Sequence, residues 1–579
     1  MEKNVEPFTK ESVLSKMISK RIKSAKRCHD RYILSNYTVN KNIKTKEIQE
    51  EICNYMPPRK RWVSLGESKR RKKIISLNRP NQTVFTSIDS VRKNKKRLEL
   101  TIMQDSKLSP PPKYYSNLIN FIDDILNDFN QNQISISSPK IIPKKKDEEG
   151  KKLRPLCIFA LRDNLILQET NSFLIKHYDE YFSDCSYAFR GKREINGTKK
   201  IPTHHDTIDK ILEYKKRHSQ ERIYVTEYDL KKFFDTIDHR IIKRKVRKLL
   251  HYNTKSHISH FWKIRIRHIF SEYLSCYTFY KCVFSKNEDK KYLKKHGFPN
   301  GHFEWVEEDL KHLYGKRYTK KKIGIPQGGA LSGFIANLVL DEVDKKLMEL
   351  NDPDLLYLRY CDDMIMLHTD KTKLEKAANL YKSIIKHNKL FIHEPVTINH
   401  YDASFYDSKS RNIYEWGAPQ NNMVPWISFV GYQIGYKGEI RIRKQSVEKE
   451  INKQEKIVNE TIHQISHYPI KSPLRVIRSV IQRLQGMSVG HINLYSFDNN
   501  PSLCWITGFC KLTNNYFSRK QMKRLDTNRC KQIKRLCKEV RKYVNQVPKS
   551  NSVEDNSKNE PEIIYSGKPF SYFGWLEKK

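Results

Sequence analysis

Acidic residues are scarce in this chain: 65 aspartates and glutamates stand against 110 lysines and arginines, a formal charge of +45 over 579 residues. A deficit of that size points to a polyanionic partner. A phosphate backbone is the commonest one, because Lys and Arg that neutralise it release condensed counterions. Long apolar runs are missing too. No stretch approaches the ~20 residues needed to cross a bilayer, and the start, MEKNVEPFTKESVLSK, has no secretory-type apolar segment. An intracellular protein with no membrane partner is therefore expected. Paired cysteine motifs are absent as well. The eleven cysteines form no CxxC, and the nearest pairs (Cys276 and Cys282, Cys504 and Cys510, Cys530 and Cys537) are spaced too widely for a zinc knuckle. They are expected to be reduced packing residues. There is no internal repeat. With 38% hydrophobic and 30% charged residues, the chain can bury a large core under a solvated surface, and its length leans toward several domains.

What is present changes along the chain. Residues 1–112 are polar and basic, with clusters around Arg59 and from Arg70 to Lys73, and read as a nucleic-acid-gripping extension that ends at Pro110-Pro111-Pro112. From 113 to 445 apolar periodicities of helix and strand type alternate. Asn117 to Phe129 predicts an amphipathic helix, while ERIYVTEYDL and LLYLRYCDDMIML predict buried strands. Residues 446–546 turn helical and basic, predicting a bundle of three or more helices. Residues 547–579 read as a polar linker followed by the aromatic tail FSYFGWLEKK.

Chemistry concentrates in three carboxylates. Tyr360-Cys361-Asp362-Asp363 lies between two apolar strands, and adjacent anions at a tight turn are costly unless cations neutralise them. Asp229 ends another strand-like run, Ile223 to Tyr228, and is followed by aromatics. Such a set suits two cations about 4 Å apart, one activating an attacking hydroxyl and the other stabilising a leaving pyrophosphate. Asp235 and Asp238 lie nearby, but Asp favours caps, and one of them is expected to be structural.

At this point the sequence resembles a bacterial reverse transcriptase of the group II intron-like and defence-associated kinds. KIIPKKKDEEGKKLRPLCIF resembles the fingers hairpin, RDNLILQ and SYAFRGKR the segments after it, and EYDLKKFFDTIDH motif A. GIPQGGALSGFIANLVLDEVD resembles motif B, YCDD motif C and SFVGYQI the primer-grip motif, so the similarity runs from about Lys140 to Arg443. The resemblance implies an α+β right-hand polymerase with fingers, an antiparallel palm sheet, a helical thumb and a basic N-terminal extension. It implies RNA-directed addition of deoxynucleotides with two Mg2+ ions on Asp229, Asp362 and Asp363. The incoming nucleotide would be held by Lys145, Arg154, Leu230, Phe234 and Gln327, with Lys144, Lys146, Lys151 and Lys152 competing for the cationic role. Gly431 and Tyr432 would form the primer grip. Phe234, five residues after Asp229, matches the aromatic that excludes a ribose 2′-hydroxyl, which together with Tyr360 separates this pattern from RNA-dependent RNA polymerases.

The implied partners are an RNA template, such as a non-coding RNA, a DNA primer or product, dNTPs, and a second copy or another subunit, in the bacterial cytoplasm. The implied biological role is anti-phage defence, and the rival readings are a maturase-like RNA-binding scaffold and an RNA polymerase. Gly333 replaces the usual Pro of motif B, and SYAFRGKR lacks the Gly and Pro of the intron-type pattern, which sets the chain apart from intron maturases. Val396 stands where a Lys is common, leaving Lys389 as the nearest lysine for proton donation. Trp505, Phe509 and the aromatic tail are candidate anchors for the fold or for another subunit.

Overall fold

The computed structural model describes residues 6–35, 51–65, 87–147, 149–195, 197–252, 258–397, 403–418, 423–467, 473–489, 505–545 and 571–577. The basic cluster from Arg70 to Lys73 and the polar stretch 547–560 lie outside them. The chain divides into two compact units, Met1–Lys16 with Asn120–Val430, and Met17–Ile119 with Gly431–Lys579.

Two sheets of the first unit position the site, beside a separate two-stranded hairpin of Arg193–Ile195 and Thr198–Lys200. Strands β1 (Lys140–Lys145) and β2 (Lys152–Ile158) form an antiparallel hairpin, with Lys144 opposite Arg154 and Lys145 opposite Leu153. The larger sheet contains β3 (Ile223–Tyr228), β5 (Leu356–Tyr360), β6 (Asp363–His368), β7 (Pro395–Val396) and β8 (Ser410–Trp416), in the order β5-β6-β3-β8-β7. The short β4 (His302–Phe303) runs parallel to β2. Both predicted strand runs are where the sequence puts them. Val225, Leu358, Ile365, Met366 and Leu367 are buried, and such continuous apolar strands need cover on both faces. Helices α1 (Ser332–Met348) and α2 (Lys371–His387) supply part of it, through residues such as Ile335, Val339, Tyr381 and Ile385. At the N-terminus, Phe8 stacks on Phe129 with ring centroids 3.9 Å apart, and Ser12 donates a 2.8 Å hydrogen bond to the buried Glu169. The expected α+β class and antiparallel palm sheet of a polymerase are what the structure holds. Cys157, Cys185 and Cys276 are buried free thiols.

The amphipathic helix predicted over 117–129 extends from Lys113 to Gln131 and buries Leu118, Ile122, Ile125 and Phe129, spaced as one helical face requires.

The second unit holds the basic helices α3 (Lys444–His467), α4 (Pro473–Val489) and α5 (Tyr516–Asn545), whose apolar stripes meet at Val458, Val476, Val480, Leu484, Leu536 and Val540. The short tail helix α6 (Tyr572–Leu576) docks on them. Asp526 accepts from the backbone N–H groups of Tyr572 and Phe573 at 3.0 and 2.9 Å, and the Tyr572 hydroxyl donates to Glu450 at 2.9 Å. Trp505 packs against both Phe509 and Tyr572. These aromatics therefore anchor the unit's own fold. No described helix is long and apolar enough to cross a membrane.

Candidate active site

The hairpin β5–β6 pairs Tyr360 with Asp363, so Cys361 and Asp362 form a two-residue turn, and Cys361 takes a left-handed conformation with φ of 61°. On the other side of β6, β3 pairs Tyr228 with Met364. Continuing that register by one residue brings Asp229 to the same end of the sheet. The outcome is electrostatic as well as geometric: burial pushes the Asp362 carboxyl up, and the neighbouring Asp229 carboxylate pushes it further. Asp229 and Asp362 are thus brought together in a half-buried setting, where the Asp229 carboxylate makes Asp362 costly to ionise. Asp363 begins the strand, and side chains alternate faces there. Among the described residues, no group of three or more His, Cys, Asp or Glu side chains is gathered into a cation cage. Magnesium does not need one, since it is held by one or two carboxylates with substrate phosphates completing its shell.

A cation already answers the Asp229 charge. Lys409 Nζ lies 3.1 Å from Asp229 Oδ2 and 3.1 Å from His393 Nε2. Burial, followed by that ammonium, pushes His393 down to about 4. The backbone is bound in as well: His393 N donates to Asp229 O at 3.0 Å, and Asp229 N donates to Ser410 Oγ at 3.0 Å. Sequence reasoning singled out none of Lys409, His393 and Ser410, and Lys409 lies 180 residues from Asp229 along the chain. Lys389, the nearest lysine by sequence, is elsewhere. It pairs with Asp238 at 3.6 Å and lies over the Tyr314 ring. Asp238 also caps the helix His239–Leu250 by accepting from Arg240 N at 2.8 Å, the structural role expected of one of the two neighbouring aspartates.

Behind the turn lies a buried charge network. Arg359 is fully buried, and so is Asp344. The guanidinium donates to Asp344 Oδ1 at 2.8 Å, to Asn337 Oδ1 at 3.1 Å, to Ser186 Oγ at 2.9 Å and, at 2.9 Å, to the carbonyl of Cys361. The last bond ties the turn that carries Asp362 to the interior.

The residues expected around the nucleotide converge from three elements. Phe234, half-buried, packs edge-on against Phe233, and its carbonyl accepts from Ile325 N at 2.7 Å. Gln327 Nε2 donates to Asp235 at 2.8 Å, and its carbonyl accepts from Cys157 N at 2.9 Å, which joins the motif B turn to both motif A and β2. Gly328 has φ of 94°, and a Cβ there would lie 3.1 Å from Leu156. Burial pushes Asp235 up to about 6, against the pull of Gln327, Lys232 and Arg154. Lys145 and Arg154 stand exposed on the hairpin.

Three of their competitors are engaged, Lys151 with Glu149 at 2.6 Å. Lys146 and Lys152 each reach Glu304 at 3.0 Å, with Lys232 at 3.4 Å. Burial opposes ionisation of Glu304, but the bonds from Lys152 and Lys146 win and hold it down to about 2. Leu230 is buried and bridges Ile392 through its backbone. In the second unit, Gly431 has φ of 90°, while the Tyr432 ring is fully buried against Phe509, its hydroxyl donating to Gly508 O at 3.2 Å. The Tyr432 side chain thus serves the packing of its own unit.

Residues 142–395 match the family described as reverse transcriptase (RNA-dependent DNA polymerase). The chain is 25% identical over 198 residues to Protein YkfC of Escherichia coli (strain K12), covering 34% of this chain and 38% of that protein. It is also 25% identical over 244 residues to the group II intron-encoded protein LtrA of Lactococcus lactis subsp. cremoris, covering 40% of this chain and 30% of that protein. The match thus spans well under half the length of these curated relatives. Among solved structures, telomerase from Candida albicans in complex with a TWJ fragment of telomeric RNA aligns at 11% identity and a TM-score of 0.32, covering 75% of this chain and 66% of that one.

Proposed function

From a reverse transcriptase domain over residues 142–395, similar to that of a group II intron-encoded protein, we propose that the protein is an RNA-directed DNA polymerase. The carrying observation is the meeting of Asp229 and Asp362 at one sheet end, where Asp229 raises the cost of the Asp362 charge and Lys409 pairs with Asp229. That donor set fits a divalent cation. Asp229 and Asp362 would hold two magnesium ions, with Asp363 in support, and metal so bound supplies activation of the primer 3′-hydroxyl and stabilisation of the departing pyrophosphate. The chain's own residues do the rest. Lys145 and Arg154 meet the triphosphate charge, Gln327, held by Asp235, orients the sugar and base, and the backbone at Gly431 and Tyr432 steadies the primer. The second unit's basic helices follow the duplex through backbone contacts, which carry affinity without sequence readout.

The template we assign is RNA, and the setting is anti-phage defence in the bacterial cytoplasm, with a non-coding RNA copied or repetitive or untemplated DNA made. Its support is the resemblance together with the departures at Ala188 and Gly333 from the intron-type pattern. Sequencing the nucleic acid that copurifies with the protein tests this part. A heterogeneous pool with no recurrent RNA would count against it.

The Phe234 ring, immobilised against Phe233 and by the Ile325 bond to its own carbonyl, is the proposed sugar gate. Phe234→Ala should raise ribonucleotide incorporation relative to deoxynucleotide by on the order of 10- to 100-fold, the scale on which removing one steric contact changes selection. The measurement is the ratio of kcat/KM for a ribonucleotide to that for its deoxynucleotide. An unchanged ratio would remove Phe234 from the role.

A further inference from the structure

Phe189 is an exposed aromatic held in place with unusual rigidity. It is 51% exposed, yet its backbone takes a left-handed φ of 56° that bulky residues rarely adopt. Both neighbours are pinned. Ala188 O accepts from Asn337 Nδ2 at 2.8 Å, and the buried Arg190 donates to Asp179 Oδ1 at 3.0 Å and to the carbonyls of Ser183, Ser186, Asp179 and Phe182 at 2.8 to 3.2 Å. The ring lies over the first turn of α1, where a Cβ on Gly333 would come within 2.5 Å of Phe189 Cγ. Two of the departures from the intron-type pattern, at Ala188 and Gly333, are therefore one local arrangement around this ring.

Its position is set by β5. Ser186 forms a parallel bridge with Arg359, and Tyr187 N donates to Arg359 O at 2.9 Å. The chain after Ser186 thus runs in the direction of β5, toward the end that carries the Asp362 turn, and delivers Phe189 there. On the other flank of the motif B turn, Ile158 follows Cys157, which bonds Gln327, and is 44% exposed. Single exposed apolar residues are ordinary on protein surfaces. A strained, doubly pinned aromatic at the catalytic end of the sheet is a different matter, since backbone strain persists where the surroundings over-determine it and clusters at functional sites.

We propose that Phe189 is a stacking platform for a template-strand nucleobase at the position being copied. This rests on the polymerase reading. Phe234, Gln327 and the basic hairpin occupy the incoming nucleotide's side, and Phe189 lies past the motif B turn, where the partner base of a nascent pair would come. A phenyl ring has no donor or acceptor, so it receives any base by its face. Base identity should not alter the contact.

The test uses the full-length protein and a primed template with 2-aminopurine at the first unpaired position. Emission at saturating protein is read without nucleotide, so the measurement stands even if the polymerase reading fails. Wild type and Phe189→Trp should quench the probe, while Phe189→Leu, Phe189→Ala and Gly333→Ala, whose Cβ displaces the ring, should leave it brighter. On a primed template, kcat/KM for deoxynucleotide should fall about 10- to 100-fold in Phe189→Ala and recover in Phe189→Trp. Equal emission from wild type, Phe189→Leu and Phe189→Ala complexes overturns the proposal, whatever their activities.

Discussion

Asp362→Asn should reduce magnesium-dependent deoxynucleotide incorporation by about 10³-fold or more while the protein still folds and binds nucleic acid. Asp362 is half-buried beside Asp229, and both burial and that neighbour disfavour its charge until a cation answers it. Asparagine keeps the shape, removes the anion and so removes half of the carboxylate pair. A loss of about 4 kcal/mol of transition-state stabilisation, the scale of a metal-ligand contribution, corresponds to about three decades in rate. Asp229→Asn should behave alike, and Asp363→Asn should lose less, since Asp363 has the supporting role in the proposed site. Asp370→Asn is the control. That carboxylate caps α2 by accepting from Thr372 N and Lys373 N, so its substitution should cost a fraction of the helix's stability and leave incorporation near wild type. Single-turnover incorporation on a primed RNA template reads all four. Equal rates for wild type and Asp362→Asn would sink the polymerase assignment.

The largest expected effect on stability belongs to Arg359→Met. The substitution removes the cation but leaves Asp344 with no solvent exposure and three polar neighbours, Ser186, Asn337 and the Cys361 carbonyl, short of a donor. An uncompensated buried charge costs about 3–5 kcal/mol. The urea unfolding midpoint should therefore fall clearly, and the slope should stay near that of wild type if only stability has changed. Pairing it with Asp344→Leu should recover much of the loss, because replacing both partners of a buried pair by apolar groups is often close to neutral. Activity should not recover in that double variant, since the donor to the Cys361 carbonyl is still missing. Full recovery of incorporation would mean that Arg359 serves the fold alone and does nothing for the turn.

Much of this architecture was legible in short windows of sequence. The apolar runs flanking Tyr360-Cys361-Asp362-Asp363 are each about as long as a strand, and adjacent strands joined by two residues can hardly pair otherwise. The helix over Lys113–Gln131 shows in the spacing of Leu118, Ile122, Ile125 and Phe129, and the basic bundle in the periodicity of α3, α4 and α5. Phe234 and Gln327 lie within motifs whose order along the chain is itself informative. These features depend on neighbours within a few residues, where periodicity and turn chemistry act.

Other features have no local signal. Lys389 is near in sequence to the strand region that borders Asp229, but its left-handed backbone, with φ of 57°, ends α2 and turns the side chain to Asp238. Lys409 reaches Asp229 instead, because β8 pairs with β3 and begins beside it. Glu304 gathers Lys146 and Lys152 from about 150 residues away, which distinguishes two lysines that composition leaves equivalent to Lys145. The tail aromatics illustrate the same limit: FSYFGWL announces an anchor, but Asp526, Glu450 and Trp505 decide where it docks.

The sequence by itself determined the charge excess, the strand and helix alternation, and the three aspartates at strand ends, since each follows from composition or from contacts a few residues apart. The tertiary structure alone decided that Asp229 comes beside Asp362, that Lys409 pairs with Asp229, and that Arg359 holds the turn. Those outcomes depend on strand pairing across long loops and on which charges are buried together, and burial is a property of the assembled fold.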